Sequence, residues 1–178
     1  MIETARHHAW AIVRKDDLPS ASRLNSSYHR ADFADAFSVD LPEAASGDAE
    51  TLARHVFSES AEWVAMLLKL RDVLVRPFGL KRAADLQTME GDRIDIFRVI
   101  ERHEGEIILG EDDTHLDFRA SLLVQPASQG RPRRLTVTTL VFYNRLLGRA
   151  YIALIAPLHR RVVRTALDRA QKRGWPTR

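Results

Sequence analysis

The sequence predicts an α+β, helix-grip fold: a curved antiparallel β-sheet wrapped around a long C-terminal α-helix, with two short helices after the first strand. Three observations carry the prediction. Residues 93–143 are dominated by short β-type runs on tight connections, among them the hairpin pattern from Glu106 to Arg119. A helical pattern from about Leu146 to Lys172 follows, stopped by Gly174 and Pro176. Ahead of both, a strand ending near Pro42 is separated from the other strands by helical periodicity.

Taken in order, residues 1–27 are expected to be an irregular N-terminal segment, because Pro19–His29 is rich in Ser, Asn and Arg. Residues 28–173 form a single domain, and 174–178 a C-terminal tail. The second half of Tyr28–Leu41 reads as a strand that ends at Pro42, which lacks a ladder donor. Asp48 is placed to cap a short helix through about Val56. A second helix begins near Ser58 or Ser60, with Trp63, Val64, Leu67, Leu68 and Leu70 at helical spacing, and ends at Pro77 and Gly79. Trp63 fits a packing role.

From Ile94 to Ile100 the pattern suggests a strand, with Glu104-Gly105 as its turn. Ile107–Leu109 is the next strand, Gly110–Thr114 a turn, and His115–Val124 a third strand. Leu135–Tyr143, rich in Thr and Val, is a fourth. Consecutive strands on short connections imply an antiparallel meander. On the terminal helix the expected inward stripe is Leu147, Tyr151, Ile155, Leu158, Val162 and Ala166, flanked by Leu154, Val163 and Ala170, with Arg149, Arg160, Arg164 and Asp168 on or near the opposite face. Pro157 removes the hydrogen bond to Ala153 and predicts a kink.

The chain has 178 residues and no cysteine, which excludes disulfides, thiolate metal sites and a cysteine nucleophile. Met1–Trp10 has no apolar signal-peptide core, and the apolar run Ala150–Leu158 is far short of the roughly 20 residues a membrane span needs. A cytoplasmic protein without a membrane span is the expectation. Residues 131–178 hold twelve Lys/Arg and one acid, Asp168. Such a basic end either pairs with the acidic remainder of the domain or docks an acidic protein partner. The helix lacks arginines interleaved with exposed aromatics, which argues against nucleic acid.

Several short runs appear in one order: Ala31-Asp32-Phe33-Ala34-Asp35-Ala36-Phe37, Glu62-Trp63-Val64 through Leu70-Arg71-Asp72, Phe78-Gly79-Leu80, Asp113 to Arg119, and Pro157-Leu158-His159-Arg160. Over about residues 28–170 the chain resembles the uncharacterised bacterial family called domain of unknown function 2867. That resemblance implies a fold similar to the START and birch-pollen-allergen (SRPBCC) superfamily. This superfamily spans carriers, receptors, cyclases and oxygenase domains, so fold does not settle function. Relatives also occur behind nicotinamide-binding domains, but this chain has no GxGxxG.

The expected function is binding of a small apolar or aromatic molecule in a cavity between sheet and C-terminal helix. Phe97, Tyr151, Ile155, Leu158 and His159 are the candidate lining, since pockets are mostly apolar with a few orienting polar groups. The alternatives are a cyclase or dehydratase using His159, or His115 with Asp117, and a non-enzymatic accessory module that docks an acidic partner through its arginine-rich helix. On the strand from His115, the residues His115, Asp117, Arg119 and Ser121 share one face, while Leu116, Phe118, Ala120, Leu122 and Val124 share the other. The charged row reads either as acid–base machinery or as an ordinary outward polar face. Asp112, Asp113, His115 and Asp117 match no metal-site spacing, and no metal or cofactor is expected.

Overall fold

The computed structural model describes residues 11–58, 92–112, 116–128 and 130–177. Among these, seven strands occur: β1 (Arg14–Asp16), β2 (Phe33–Asp40), β3 (Arg93–Ile94), β4 (Phe97–His103), β5 (Glu106–Asp112), β6 (Leu116–Gln125) and β7 (Arg134–Tyr143). They form one antiparallel sheet in the order β1-β2-β7-β6-β5-β4-β3. A 3-10 helix (Arg23–Arg30), α1 (Ala49–Phe57) and α2 (Leu146–Lys172) complete the described elements. The expected meander is β4 to β7. The early strand β2 closes beside β7 in unbroken register from Phe33 opposite Val141 to Asp40 opposite Arg134.

Local chemistry sets the boundaries. Asp48 caps α1 as expected, accepting from the Thr51 amide at 2.8 Å. Gly105 takes φ 74° in the β4–β5 turn, where a side chain would be strained. The single strand expected over Ile94–Ile100 is split, because Asp95 adopts φ 55° and turns the chain between β3 and β4. Gly110 is not in a turn. It lies within β5, where a Cβ would come 2.5 Å from the Phe118 carbonyl oxygen, so its bareness lets β5 approach β6. The second short helix and Trp63 fall outside the described residues, as do Asp113 and His115.

Residues 11–27 are more ordered than their composition suggests. β1 is tied to the sheet by side chains: Ser38 Oγ donates to Asp16 at 2.7 Å, and Arg14 and Arg134 meet Asp40 and Asp16. Ser22 caps the 3-10 helix by accepting from the Leu24 amide. The tail is also engaged, with Thr177 bridging Ala45 and Trp175 packed against the core.

Alternation divides the sheet into two faces. On one, Phe37 and Val39 of β2, Leu135 and Val137 of β7, Leu122 of β6 and Ile107 and Leu109 of β5 meet Leu52, Ala53 and Val56 of α1 and Leu167 and Ala170 of α2. α2 lies against β2 and β7, while α1 lies against β3, β5 and β6 and touches α2. His55 Nε2 donates to the Ala170 carbonyl across that helix contact at 2.9 Å. On the reverse face the 3-10 helix covers Ile108 and Leu140 with Leu24.

Among its described side chains, the inward face of α2 keeps Ala166 of the predicted stripe and Val163 and Ala170 of its flanks, and adds Leu167 and Gln171. Its buried side chains are Leu167, Ala170 and Gln171, with Val163 and Ala166 packed beside them. Ile152, Ile155, Leu158 and Val162 are only half-buried. The C-terminal half of α2 meets both the core and α1, so its buried arc shifts away from a stripe drawn for one flat contact.

Candidate functional site

In β2, Phe33, Asp35, Phe37 and Val39 alternate onto the helix-facing side. Three are apolar, and the fourth places a carboxylate in the same row, with only 3% of the residue exposed. Its register partner is the buried Thr139 of β7. α2 brings two consecutive residues against it: His159 Nε2 lies 3.5 Å from Oδ1, and Arg160 Nε lies 3.6 Å from Oδ2. Neither approach makes a hydrogen bond. Both Asp35 oxygens and His159 Nε2 are buried without any hydrogen-bond partner.

Phe33 organises the two helix residues. The His159 ring stands edge-on to it, with centroids 6.0 Å apart and planes at 83°. The Arg160 guanidinium sits over the same ring, 5.6 Å from its centroid. Arg160, expected to face away, therefore reaches back to Asp35 while its side chain stays 45% exposed. A carboxylate beside an imidazole can fix the ring's tautomer and exchange protons with a bound molecule. A buried carboxylate without donors is also costly, and a ligand's donor offsets that cost.

The surroundings loosen toward this site. Among the α2 residues with described side chains, none is buried before Leu167, and Ile155 and Leu158 flank His159 half-buried. Beyond it, near the N-terminus of α2, a polar cleft of about 740 Å³ is lined by Asp32, Tyr143, Asn144, Arg145 and Arg149. The Tyr143 amide donates to Asp32 at 2.7 Å. Burial, and then the Asp32 carboxylate, raise the Tyr143 phenol above its ordinary pKa.

The profile of the family described as protein of unknown function (DUF2867) matches residues 27–166. The chain belongs to this family. No curated protein and no solved structure matches it. The DUF2867 match spans Phe33, Asp35, His159 and Arg160, so the whole cluster lies inside the family region.

The other sequence candidates are dispersed. Phe97 is half-buried on β4, four strands from Asp35, and packs on Phe57 and Phe118 at 5.1 and 5.9 Å. The Tyr151 side chain and His115 lie outside the described residues. Asp117 alternates onto the face away from α2 and accepts from Asn144 Nδ2 at 3.0 Å. Arg119 on that face pairs with Asp112 at 2.6 Å. The acid beside His159 is Asp35. Among the described residues no group of three or more His, Asp or Glu is placed to hold a metal ion, and no helix is long and apolar enough to cross a membrane.

Asp35 was readable only as one residue of the run Ala31–Phe37. Its signal was an acid in an otherwise apolar alternating row, since a strand that buries one face seldom spends a position there on a charge.

Proposed function

We propose that this DUF2867 chain binds a small, largely apolar or aromatic molecule between the sheet and α2, in the manner of a helix-grip fold. The observation that carries the reading is Asp35, a buried carboxylate with no hydrogen-bond donor, set in an apolar strand row opposite His159. Native proteins rarely leave such a group unpaired, and functional sites are where they do. Ile155, Leu158 and His159 form the helix side of the proposed lining. Tyr151 and Phe97 stay outside this lining, because the Tyr151 side chain lies outside the described residues and Phe97 packs on Phe57 and Phe118, four strands from Asp35. Half-buried apolar side chains on α2 support an opening rather than a sealed core.

The test is native mass spectrometry of protein purified from its own host, with an uncharged solvatochromic dye such as Nile red as a second probe. A stoichiometric small molecule, or dye binding that Ile155→Trp and Leu158→Trp abolish in folded protein, is expected. An empty protein that takes up no dye overturns the reading.

The carboxylate–imidazole pair favours one further reading, an enzyme of cyclase or dehydratase type with His159 moving a proton. His159→Gln would then retain the bound compound and stop its conversion. A compound returned unchanged by the unaltered protein counts against it.

A further inference from the structure

We infer that the ligand is an uncharged compound carrying a hydroxyl group, phenolic, enolic or alcoholic, that seats against the Asp35–His159 pair. The inference rests on the proposed cavity and narrows what enters it. Of the five buried side-chain atoms without partners among the described residues, three meet at this site: Asp35 Oδ1, Asp35 Oδ2 and His159 Nε2. The carboxylate only accepts, and the imidazole nitrogen in its N–H tautomer donates. A hydroxyl does both, so a single oxygen donates to Asp35 and accepts from His159. The 3.5 Å between Oδ1 and Nε2 is short enough for one atom to touch both. A ketone oxygen satisfies the histidine alone, and an ammonium group satisfies the aspartate alone.

Charge narrows the class further. Arg160 Nε, 3.6 Å from Oδ2, already opposes the carboxylate, and Phe33 beneath the guanidinium holds it there. An ammonium ligand at this point would meet the arginine, and a carboxylate ligand would meet Asp35. Either approach places like charges together, with little water to screen the pair at Asp35 and a weaker repulsion at the half-exposed Arg160. A neutral hydroxyl meets neither penalty. Phe33, edge-on to His159, offers an aromatic wall beside the hydroxyl, which suits a planar ring carrying it.

The test compares four probes of one shape by calorimetry: naphthalene, 2-naphthol, 2-naphthoate and 2-naphthylmethylammonium. The unaltered protein is expected to bind 2-naphthol about tenfold more tightly than naphthalene, the worth of one hydrogen bond to a charged group. Both charged probes should bind more weakly than 2-naphthol. Asp35→Leu should reduce 2-naphthol to the level of naphthalene and leave naphthalene unchanged. His159→Phe makes the same comparison if Asp35→Leu does not fold, judged by its circular dichroism. Equal affinity for naphthalene and 2-naphthol, or preference for a charged probe, overturns the hydroxyl assignment and leaves the cavity standing. Failure of all four probes to bind overturns the cavity and the assignment together.

Discussion

Asp35 is held at a cost that a folding domain has no reason to bear on its own. Its oxygens accept nothing, and its nearest cation, Arg160, is half exposed, where screening weakens the pair. Asp35→Asn keeps the shape, removes the buried charge and offers an amide nitrogen that can donate to His159. The variant is expected to be more stable by about 1 kcal/mol, the usual sign when a ligand-site charge is removed. Guanidinium unfolding reads it as a higher midpoint at an unchanged slope. A lower midpoint would mean that the attraction of His159 and Arg160 outweighs the burial of the charge. His159 was legible in the sequence because it borders the apolar stripe of α2. Its partner was not, because the pairing joins positions 124 residues apart, and only the strand register decides which face Asp35 takes.

At the scale of elements, periodicity was sufficient wherever an element builds its own pattern. The meander from β4 to β7, the Asp48 cap of α1 and the extent of α2 all follow from residues inside or beside them. The 3-10 helix at Arg23–Arg30 does not, because its anchor is remote. Glu106, at the start of β5 and 3% exposed, accepts from Ser22 Oγ at 2.6 Å, from the Arg23 amide at 2.9 Å and from Ser121 Oγ. Tyr28 adds a bond from its hydroxyl to the Pro19 carbonyl. A Ser- and Asn-rich stretch reads as loop until that carboxylate is placed beneath it. Glu106→Ala strands three donors, each bond to a carboxylate being worth about 1.5–3 kcal/mol. The expected result is loss of about 3 kcal/mol or more, concentrated locally. Native-state hydrogen exchange should show the amides of residues 22–31 losing protection before those of α1 and the C-terminal half of α2. Uniform loss across the sheet would show that Glu106 supports the core rather than the N-terminal cover.

Across the described elements, the order from β2 through α1 and the β4–β7 meander to α2 was legible because the pattern changes from helical to alternating and back. The seams between elements were not, because they are made by charges that show no periodicity. Glu50 at the start of α1 reaches β4 through Arg102, Nε to Oε2 at 2.7 Å, and also pairs with Arg54. Hydrogen bonds first from Arg102 and then from Arg54 bring its carboxyl from 4.5 down to about 2. The Thr51 hydroxyl and amide hold Asp48 below its ordinary value. Burial works to raise Asp16, but the Ser38 hydroxyl, the Asp17 amide and Arg134 outweigh it and leave the net shift downward. All three are lower in the folded chain than in the unfolded one, so on acidification the unfolded chain takes up protons first. Their contribution is complete above the ordinary carboxylate range and is lost as pH falls from 4.5 toward about 2. Because Glu50 lies at the α1–β4 seam, Asp16 at the β1–β2–β7 seam and Asp48 at the cap of α1, acid should loosen those joins and that helix end before the apolar core yields. Chemical denaturation is therefore expected to give a lower unfolding free energy at about pH 3 than at about pH 6, with Glu50→Gln flattening the slope. Raising salt at the higher pH should remove part of the difference, since Arg54 and Arg102 are about half exposed. A stability that stays level from pH 5 to pH 2.5 would place these carboxylates outside the forces that hold the seams.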